Sequence, residues 1–345
     1  MKVAAFSCGW NYTSARFRVR QFIPDLAEDD IEVREYIAPI YKHHEPRWHN
    51  PVWMGAVRIA RPVALMPSVI ASHRHDASWI QKEMIWGRDS LERFTKGPRF
   101  LDVDDAIWAE TDRSEATMAS LASRVDVVLA GNERIAEWFS AHARDVRILY
   151  TAVDVDLFAP LPAAQVKDRP FTVVWTGQKV TLQHLQLAEP ALAEFMTRHP
   201  DVRFQSISDV RPQLTRLPED RVTWYPWSPG VEVARLQDAD VGIMPLIDNE
   251  NGRAKCAFKM LQYMGCAIPS IVTPIGLNRD VLAMGDVGLG ASNTAEWVTA
   301  LEELYRDRDR AHAMGAEGRR IAIEKFARPV IARDIAVIFK EVVGE

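Results

Sequence analysis

RAKCAFKMLQY, residues 253–263, is the stretch of this sequence that decides the fold. Phe258 and Leu261 are spaced to face a core from one side of a helix. An apolar run at 241–244 precedes the stretch, and another at 268–272 follows it; both predict short buried strands. This order of strand, helix and strand predicts a parallel sheet covered by helices.

The same predicted helix begins with a concentration of positive charge. Arg253, Lys255 and Lys259 lie at the end where the backbone dipole is already positive, which is unfavourable unless an anion binds there. Exposed backbone N–H groups and nearby cations together form a phosphate site. Because Gln262 shares a stripe with Lys255 and Lys259, we expect this helix to bind a phosphate-bearing ligand.

Composition indicates a soluble globular enzyme of two domains. The chain has 345 residues, more than one hydrophobic core usually serves, with 48% hydrophobic and 26% charged residues. A formal net charge of -5 argues against a nucleic-acid partner. Three cysteines support neither a disulfide framework nor a zinc site, so we expect a reducing, cytoplasmic location.

Apolar runs alternate with helical patterns along the chain, which predicts an α/β fold of two doubly wound, Rossmann-like domains. The runs that predict strands are Val3–Phe6, Ile31–Tyr36, Val63–Ile70, Phe100–Val103, Val125–Ala130, Val146–Leu149, Thr172–Trp175, Val202–Ile207, Val222–Trp224, Val241–Met244, Ile268–Val272 and Val287–Leu289. A proline- and alanine-rich stretch at 158–164 predicts the hinge. We expect domains at 1–163 and 164–327, and a C-terminal helix at 328–345 that returns to the first domain.

Two features of the first half leave alternatives open. Its first apolar run is too short for a signal peptide and predicts a buried strand. Tryptophans and arginines are frequent between residues 47 and 86. They would either line the core and a groove or form a peripheral surface at the inner face of a membrane. The residues are Trp48, Trp53, Trp79, Trp86, Arg47, Arg58 and Arg61. For His43, His44 and His49 we favour a solvated loop over a metal site, because no recognisable ligand spacing is completed.

On particular residues the sequence resembles the retaining glycosyltransferases of family four, which have the GT-B fold and use nucleotide-sugar donors. The resemblance covers nearly the whole chain and is carried by Ser14–Arg18, Leu101–Trp108, Gly131–Glu133, Ala239–Leu246, Asn251–Gly276, Trp297 and Gly318–Arg319. It implies two Rossmann-like domains facing a central cleft, with the acceptor on the first and the donor on the second. Bacterial members that act on cell-surface or secondary-metabolite glycans are the most similar, which implies cell envelope biosynthesis.

The resemblance assigns the donor site to the second half. The family motif Glu-x7-Glu falls on Ala254 and Gln262, so the sugar contact of the first glutamate is lost, whereas glutamine can still hydrogen-bond the ribose hydroxyls. The glycine that follows the first strand of the donor domain falls on Gly177. We expect the diphosphate charge to be met by four cations: Lys179, Arg253, Lys255 and Lys259.

Other candidate ligand-binding residues follow predicted strands. Gly9, Arg16 and Arg18 come after the first strand, where open sheets of this class bind ligands, and an arginine there would meet the donor phosphate or an anionic acceptor. A solvated surface is the alternative. Trp227 follows a strand where the resemblance places the nucleobase, with core packing as the alternative.

The candidate acceptor site centres on Asp104. We expect its carboxylate to bind an acceptor hydroxyl, with Trp108 stacked on a sugar ring. Asp102 and Asp104 mimic the metal-binding triplet of the other major glycosyltransferase fold, but their place after a buried strand argues against metal. His73 and His75 are further candidates for a catalytic partner, with a structural role as the alternative.

These residues together predict a retaining, metal-independent hexosyl- or related glycosyltransferase that requires no cofactor. It would move a sugar from a nucleoside-diphosphate sugar to a glycan, lipid-linked or small natural-product acceptor, with Asp104 and Lys259 as the catalytic residues. Lys259 would stabilise the departing diphosphate. Two alternatives stay open. One is a nucleotide-sugar epimerase on the same fold. The other is a non-catalytic nucleotide-sugar-binding protein, because Ala254 stands in place of the first glutamate of the family motif.

Overall fold

The computed structural model describes residues 1–10, 13–38, 51–85, 88–111, 114–162 and 169–344, and the side chains of these except at 51–59. The chain divides into two compact units. Unit 1 comprises Met1–Ala152, Ala254–Cys256 and Arg328–Glu345, and unit 2 comprises Val153–Arg253 and Ala257–Ala327. Each unit is described below by itself.

Unit 1 is built on a six-stranded parallel sheet. Its strands are β1 (Lys2–Ser7), β2 (Glu32–Ile37), β3 (Ala77–Gln81), β4 (Arg99–Val103), β5 (Val127–Ala130) and β6 (Val146–Ile148). Its helices up to residue 140 are α1 (Thr13–Arg18), α2 (Ile23–Glu28), α3 (Pro51–Ser72), α4 (Ser114–Ala122) and α5 (Glu133–Ser140). The strand order is β2-β1-β3-β4-β5-β6, so the chain reverses direction across the sheet between β1 and β3. Ligands of such sheets bind beyond the carboxyl ends of the strands at this reversal.

Unit 2 is built on a second six-stranded parallel sheet. Its strands are β7 (Thr172–Gly177), β8 (Arg203–Ser208), β9 (Val222–Pro226), β10 (Val241–Met244), β11 (Ser270–Val272) and β12 (Gly288–Gly290). Its helices are α6 (Leu182–Arg198), α7 (Pro229–Gln237), α8 (Glu250–Arg253), α9 (Phe258–Gly265), α10 (Gly276–Leu282), α11 (Thr294–Arg306) and α12 (Arg308–Ile321), followed by a π-helical turn at Ala322–Phe326. The order β12-β11-β10-β7-β8-β9 reverses between β10 and β7, where a ligand crevice is expected.

The last helix, α13 (Arg328–Val343), completes the core of unit 1. Its buried stripe includes Ile335 and Phe339. The Phe339 ring lies 4.4 Å from the ring of Phe100 and 5.4 Å from that of Trp79. Burial of these large rings fixes the helix on the face of β3 and β4.

The predicted α/β architecture is confirmed, but one predicted strand is wrong. Val63–Ile70 lies within α3. Leu65 and Val69 are buried four residues apart, whereas Val63 and Ile70 are exposed, which is the period of a helix. The strand of this region is β3, which follows at Ala77.

The division between the units differs from the predicted boundary at 163, which itself lies outside the described residues. Val153 already belongs to unit 2, where its N–H donates to the carbonyl oxygen of Phe326 at 2.8 Å. A Cβ added at Gly265 would come within 2.9 Å of the Phe158 carbonyl oxygen. The segment from Val153 to Phe158 is therefore packed within unit 2.

The tryptophan-rich region does not expose all of its tryptophans. Trp79 is fully buried in the core of unit 1, while Trp48, Trp86 and the side chain of Trp53 lie outside the described residues. His43, His44 and His49 lie outside them as well. In the described part of the chain, no helix combines the length and apolar character needed to cross a membrane.

Candidate functional site

The deciding stretch folds as two helices with a break, so the single helix predicted from residue 253 is wrong. Arg253 is the last residue of α8, Lys255 lies in the break, and only Lys259 lies on α9. Ala257 precedes α9 with φ of 51°, a left-handed conformation that interrupts the helix. Lys255 therefore does not share a helical stripe with Lys259.

The break, residues 254–256, is held inside unit 1 by three contacts. The Asn132 side-chain amide donates to the Ala254 carbonyl oxygen at 2.8 Å. The Lys255 ammonium lies 2.7 Å from a carboxylate oxygen of Asp105. The Cys256 thiol donates to the Asp104 carbonyl oxygen at 3.2 Å. Lys255 thus contacts an acidic side chain of unit 1, and fully buried Ala254 has no surface for a sugar.

Gly131 and Asn132 are the site-supporting residues whose role the sequence did not show. A Cβ added at Gly131 would lie 2.5 Å from the Cys256 sulfur, so only glycine leaves room for the break. Asn132 caps α5 by accepting from the Ile135 N–H at 3.0 Å while its amide holds Ala254. The triplet at 131–133 was recognisable only as part of the family resemblance.

The α9 helix begins at the carboxyl edge of the sheet of unit 2, because it follows β10 in the crossover to β11. The residue before its first turn, Ala257, makes no side-chain capping hydrogen bond, and the turn contains half-buried Lys259. The helix dipole favours an anion at this end. Gln262 is only 1% exposed, and its amide nitrogen has no hydrogen-bond partner among the described residues. A buried donor left unpaired in this way indicates a missing ligand or water.

Gly177 and Lys179 follow β7 at the chain reversal of unit 2. Thr181 and the ring of Trp175 pack so closely on Gly177 that a Cβ there would clash. Exposed Lys179 lines a cavity of about 310 Å³ beyond the ends of β7 and β8, together with Arg211 and apolar residues of α6. Its backbone N–H donates to Asp209 at 2.7 Å. The lining of the cavity thus combines two cationic side chains with apolar ones.

Two other predicted donor residues lie on the surface of unit 2. Trp227 follows β9 and is 42% exposed. Arg253 pairs with Asp248 at 2.6 Å, and hydrogen bonding from this arginine lowers the pKa of that carboxyl. The guanidinium of Arg253 is therefore already paired with a carboxylate of unit 2.

Arg18 does not face a ligand in this structure. It is fully buried and donates to Asp102 at 2.8 Å and to the Leu149 carbonyl oxygen at 2.7 Å. Burial alone would lower the pKa of Arg18, but Asp102 beside it raises the pKa above its ordinary value. The pair, with the Trp79 indole N–H 3.2 Å from Asp102, joins α1 to β3 and β4. Its role here is structural.

The loop after β1 is braced by Arg20. Its guanidinium donates to the carbonyl oxygens of buried Gly9 and of Trp10, and to Glu35 at 2.7 Å. Arg16, on helical α1, is partly exposed and lies 4.9 Å from the ring centre of Phe17. Of the two predicted arginines, only Arg16 keeps an exposed surface.

Asp104 is an ion-paired carboxylate at the carboxyl end of β4. Lys82 lies 2.8 Å from it. Burial alone would raise the pKa of Asp104, but Lys82 and then Arg18 lower it to about 2. A carboxylate with so low a pKa is a poor proton acceptor. Asp102 and Asp104 are each neutralised by a cation, and in the described residues no group of three His, Cys, Asp or Glu is placed to hold a metal.

The aromatic and histidine candidates of unit 1 are engaged in packing. Trp108 is 5% exposed and stacks on Trp138 with ring centres 4.8 Å apart, so it offers no face to a sugar. His73 and His75 lie between α3 and β3. Their ring nitrogens lie 2.9 Å and 3.1 Å from backbone carbonyl oxygens of Phe94 and Ala71.

Cys256 and Cys266 are not nucleophiles. Both are buried, and burial raises the pKa of each thiol to about 12. A thiol with such a pKa stays protonated and unreactive at neutral pH. They act as packing residues.

Comparison with known proteins identifies the second unit. The family model described as "Glycosyl transferases group 1" matches residues 170–307, which contain β7 to β12 and the candidate residues Gly177, Lys179, Lys259 and Gln262. This part of unit 2 is therefore similar to the group 1 glycosyl transferases. A search of the curated proteins found no match to the chain.

Solved structures show that the chain as a whole has the GT-B fold. Sucrose-phosphate synthase from Thermosynechococcus elongatus superposes with a TM-score of 0.75 at 12% identity, covering 99% of both chains. HepE of Anabaena, in complex with UDP and glucose, gives a TM-score of 0.75 at 14% identity over 99% of both chains. WaaG, a glycosyltransferase involved in lipopolysaccharide biosynthesis, gives 0.72 at 12% identity over 99% of this chain and 100% of its own.

Proposed function

We propose that the chain transfers a sugar from a nucleoside-diphosphate sugar, with retention of configuration, to a glycan, lipid-linked or small natural-product acceptor. The observation that carries this proposal is the buried amide nitrogen of Gln262, which has no partner among the described residues and lies in the part of the chain that is similar to group 1 glycosyl transferases. The amide would bind the ribose hydroxyls of the donor. Structures of HepE with UDP and with UDP-glucose make uridine diphosphate the first nucleotide to test.

Lys259 and the start of α9 would hold the diphosphate, with Lys179 on the loop after β7. Preorganised positive charge of this kind stabilises a departing diphosphate without a proton transfer. Of the other cations assigned to the diphosphate, Arg253 pairs with Asp248 and Lys255 with Asp105. We assign the larger share of the charge stabilisation to Lys259 and Lys179, because Lys259 lies in the first turn of α9 and Lys179 follows β7 at the chain reversal of the sheet.

Metal independence is supported by the state of the two acidic side chains that would otherwise be metal ligands. Asp102 is engaged by Arg18, and Asp104 by Lys82. We propose that Asp104 contributes the field of an ionised carboxylate toward the acceptor. Its low pKa makes proton abstraction from a hydroxyl inefficient.

The experiment is a thermal-shift titration with the diphosphates of uridine, guanosine, thymidine and adenosine, followed by incubation with the matching sugar nucleotides and acceptor mixtures. A ligand that binds only the folded state raises the melting temperature by an amount set by its excess over Kd. We expect one nucleotide to stabilise the protein, and proton NMR of the product to show the donor's anomeric configuration. Absence of a shift with every nucleotide would refute the proposal.

Ala254 favours a second candidate, a non-catalytic nucleotide-sugar-binding protein. Its position aligns with the glutamate that contacts the sugar in the related family, and it is fully buried in unit 1. A sugar nucleotide that binds tightly but is neither transferred nor hydrolysed, with or without added EDTA or divalent cations, would support this candidate over transfer.

A further inference from the structure

Arg61, on α3 of unit 1, is a buried arginine whose Nε has no hydrogen-bond partner among the described residues. The residue is only 3% exposed. Arginine carries five N–H donors and no acceptor, so a buried arginine is normally bonded to oxygen atoms. An unpaired donor of this kind is costly to bury, and a ligand oxygen would pair it.

Arg61 lines a small cavity at the chain reversal of the sheet. The cavity also touches Cys8, just beyond the end of β1, and Met84, beyond the end of β3. Open α/β sheets bind ligands at this reversal. Phe6 and Leu65 form an apolar part of the lining, beside the amide of Gln81, whose oxygen and nitrogen have no partner among the described residues. The space accepts about one water-sized group, which is too little for a whole phosphate or sugar ring.

The charge around Arg61 argues against an anionic ligand. Burial lowers the pKa of Arg61, and the carboxylates of Glu83 and Glu92 oppose this lowering. Glu92 is itself held by the N–H groups of Met84 at 2.6 Å and Ser90 at 2.8 Å. Burial nevertheless raises the pKa of Glu92, so Glu83 is the carboxylate that balances the guanidinium, and Glu83 would repel a further negative charge. A cation would face Arg61 and be repelled as well.

We propose that this cavity receives one neutral hydroxyl group of the acceptor, as a hydroxyl or hydroxymethyl arm of a sugar or polyol. The hydroxyl oxygen accepts from Arg61, and the carbon that bears it packs against Phe6, Leu65 and Met84. A hydroxyl oxygen has two lone pairs that can accept hydrogen bonds, and the apolar part of the lining suits the adjoining carbon. The inference rests on the proposed transferase function, because it names the chemical class of that reaction's acceptor.

The experiment measures sugar binding without nucleotide by ligand-observed NMR on the full chain. The probes are the methyl α-glycosides of glucose, galactose and mannose, and myo-inositol, each at millimolar concentration. We expect at least one to bind, and its affinity to fall about ten-fold or more in Arg61→Met, since a hydrogen bond to a charged group is lost. Arg61→Lys keeps the balancing charge for Glu83 and Glu92, so it should fold normally and also lose affinity. Arg74→Met, which removes an exposed arginine just after α3, is the matched control and should bind normally.

Three results overturn the inference. Binding by none of the probes, or equal binding by Arg61→Met and the unaltered protein, means that the cavity holds a buried water only. Binding of inorganic phosphate or acetate that depends on Arg61 means that the ligand is anionic. A thermal shift by nucleotides in the same samples separates the two proposals, since it reports on the donor domain and is independent of Arg61.

Discussion

Replacing Gln262 by leucine separates a ligand-binding role from a structural one. The amide nitrogen of Gln262 is buried and has no partner among the described residues. Leaving a buried donor unpaired costs about 1–3 kcal/mol, so Gln262→Leu should leave the free protein equally stable or more stable by up to that amount. If the amide meets a ribose hydroxyl in the complex, nucleotide binding should weaken by about 1–3 kcal/mol, or about 5- to 140-fold in Kd.

The assay pairs melting temperature without ligand with Kd for uridine diphosphate by titration calorimetry. Gln205→Leu is the matched control, because Gln205 is 5% exposed in β8 but its amide donates to the Arg235 carbonyl oxygen at 2.6 Å. The control should lose stability and keep its nucleotide affinity. Uridine diphosphate lacking the 2′-hydroxyl should bind the unaltered protein less tightly and Gln262→Leu with little further loss. A Gln262→Leu protein that is less stable and binds the nucleotide unchanged would show that the reasoning is wrong.

Three further predictions concern unit 1. Arg18→Met leaves Asp102 buried without its cation and should cost about 3–5 kcal/mol, measured by urea unfolding; a smaller loss than that of an exposed arginine would contradict the ion-pair role. The pKa of Asp104, about 2, lies below its ordinary 3.8, so its stabilisation is present above about pH 4 and is lost as the pH falls toward 2. Asp104→Asn should therefore remove about 2 kcal/mol at pH 7 and flatten the acid limb of the stability profile, and an unchanged limb would count against it. Gly131→Ala should destabilise the fold because its Cβ meets the Cys256 sulfur, and adding Cys256→Ala should restore stability; additive losses in this double-mutant cycle would disprove the contact.

The parallel sheets were predictable because their strands are buried on both faces. Continuous apolar runs such as Val3–Phe6 and Val241–Met244 are what a strand covered by helices requires, and both became interior strands. The same signal misled at Val63–Ile70, where a short apolar run lies inside the long helix α3. Pro62 and Pro67 break up the helical pattern there, although the helix tolerates both.

The break before α9 could not be predicted from local sequence. Helical spacing continues through residues 254–257, and alanine rarely adopts a left-handed conformation. What interrupts the helix is tertiary: Asn132, 122 positions earlier, binds the Ala254 carbonyl oxygen, and Asp105 attracts Lys255. The assignment of phosphate-binding charge to Lys255 depended on a continuous helix, and the structure gives that lysine another partner.

The buried polar groups of the site were only partly visible in the sequence. Gln262 was found because the family resemblance marks its position, and the structure adds that its amide is unpaired. The burial of Arg18 and Arg61 was not predictable, because nothing in the neighbouring sequence shows that both are buried. Burial of an arginine is decided by which strands and helices meet over it.

The Ala254–Cys256 segment has a consequence for domain exchange between glycosyltransferases. Consider a chimera that takes residues 153–327 from this chain and its first domain from another protein. It would contain residues 254–256 but not the residues of unit 1 that bind them. The Ala254 carbonyl oxygen would lose the amide of Asn132, and Cys256 would need a glycine at the position of Gly131. Recombination should therefore transplant residues 131 and 132 together with 254–256, so that two short pieces far apart in the gene are inherited as one.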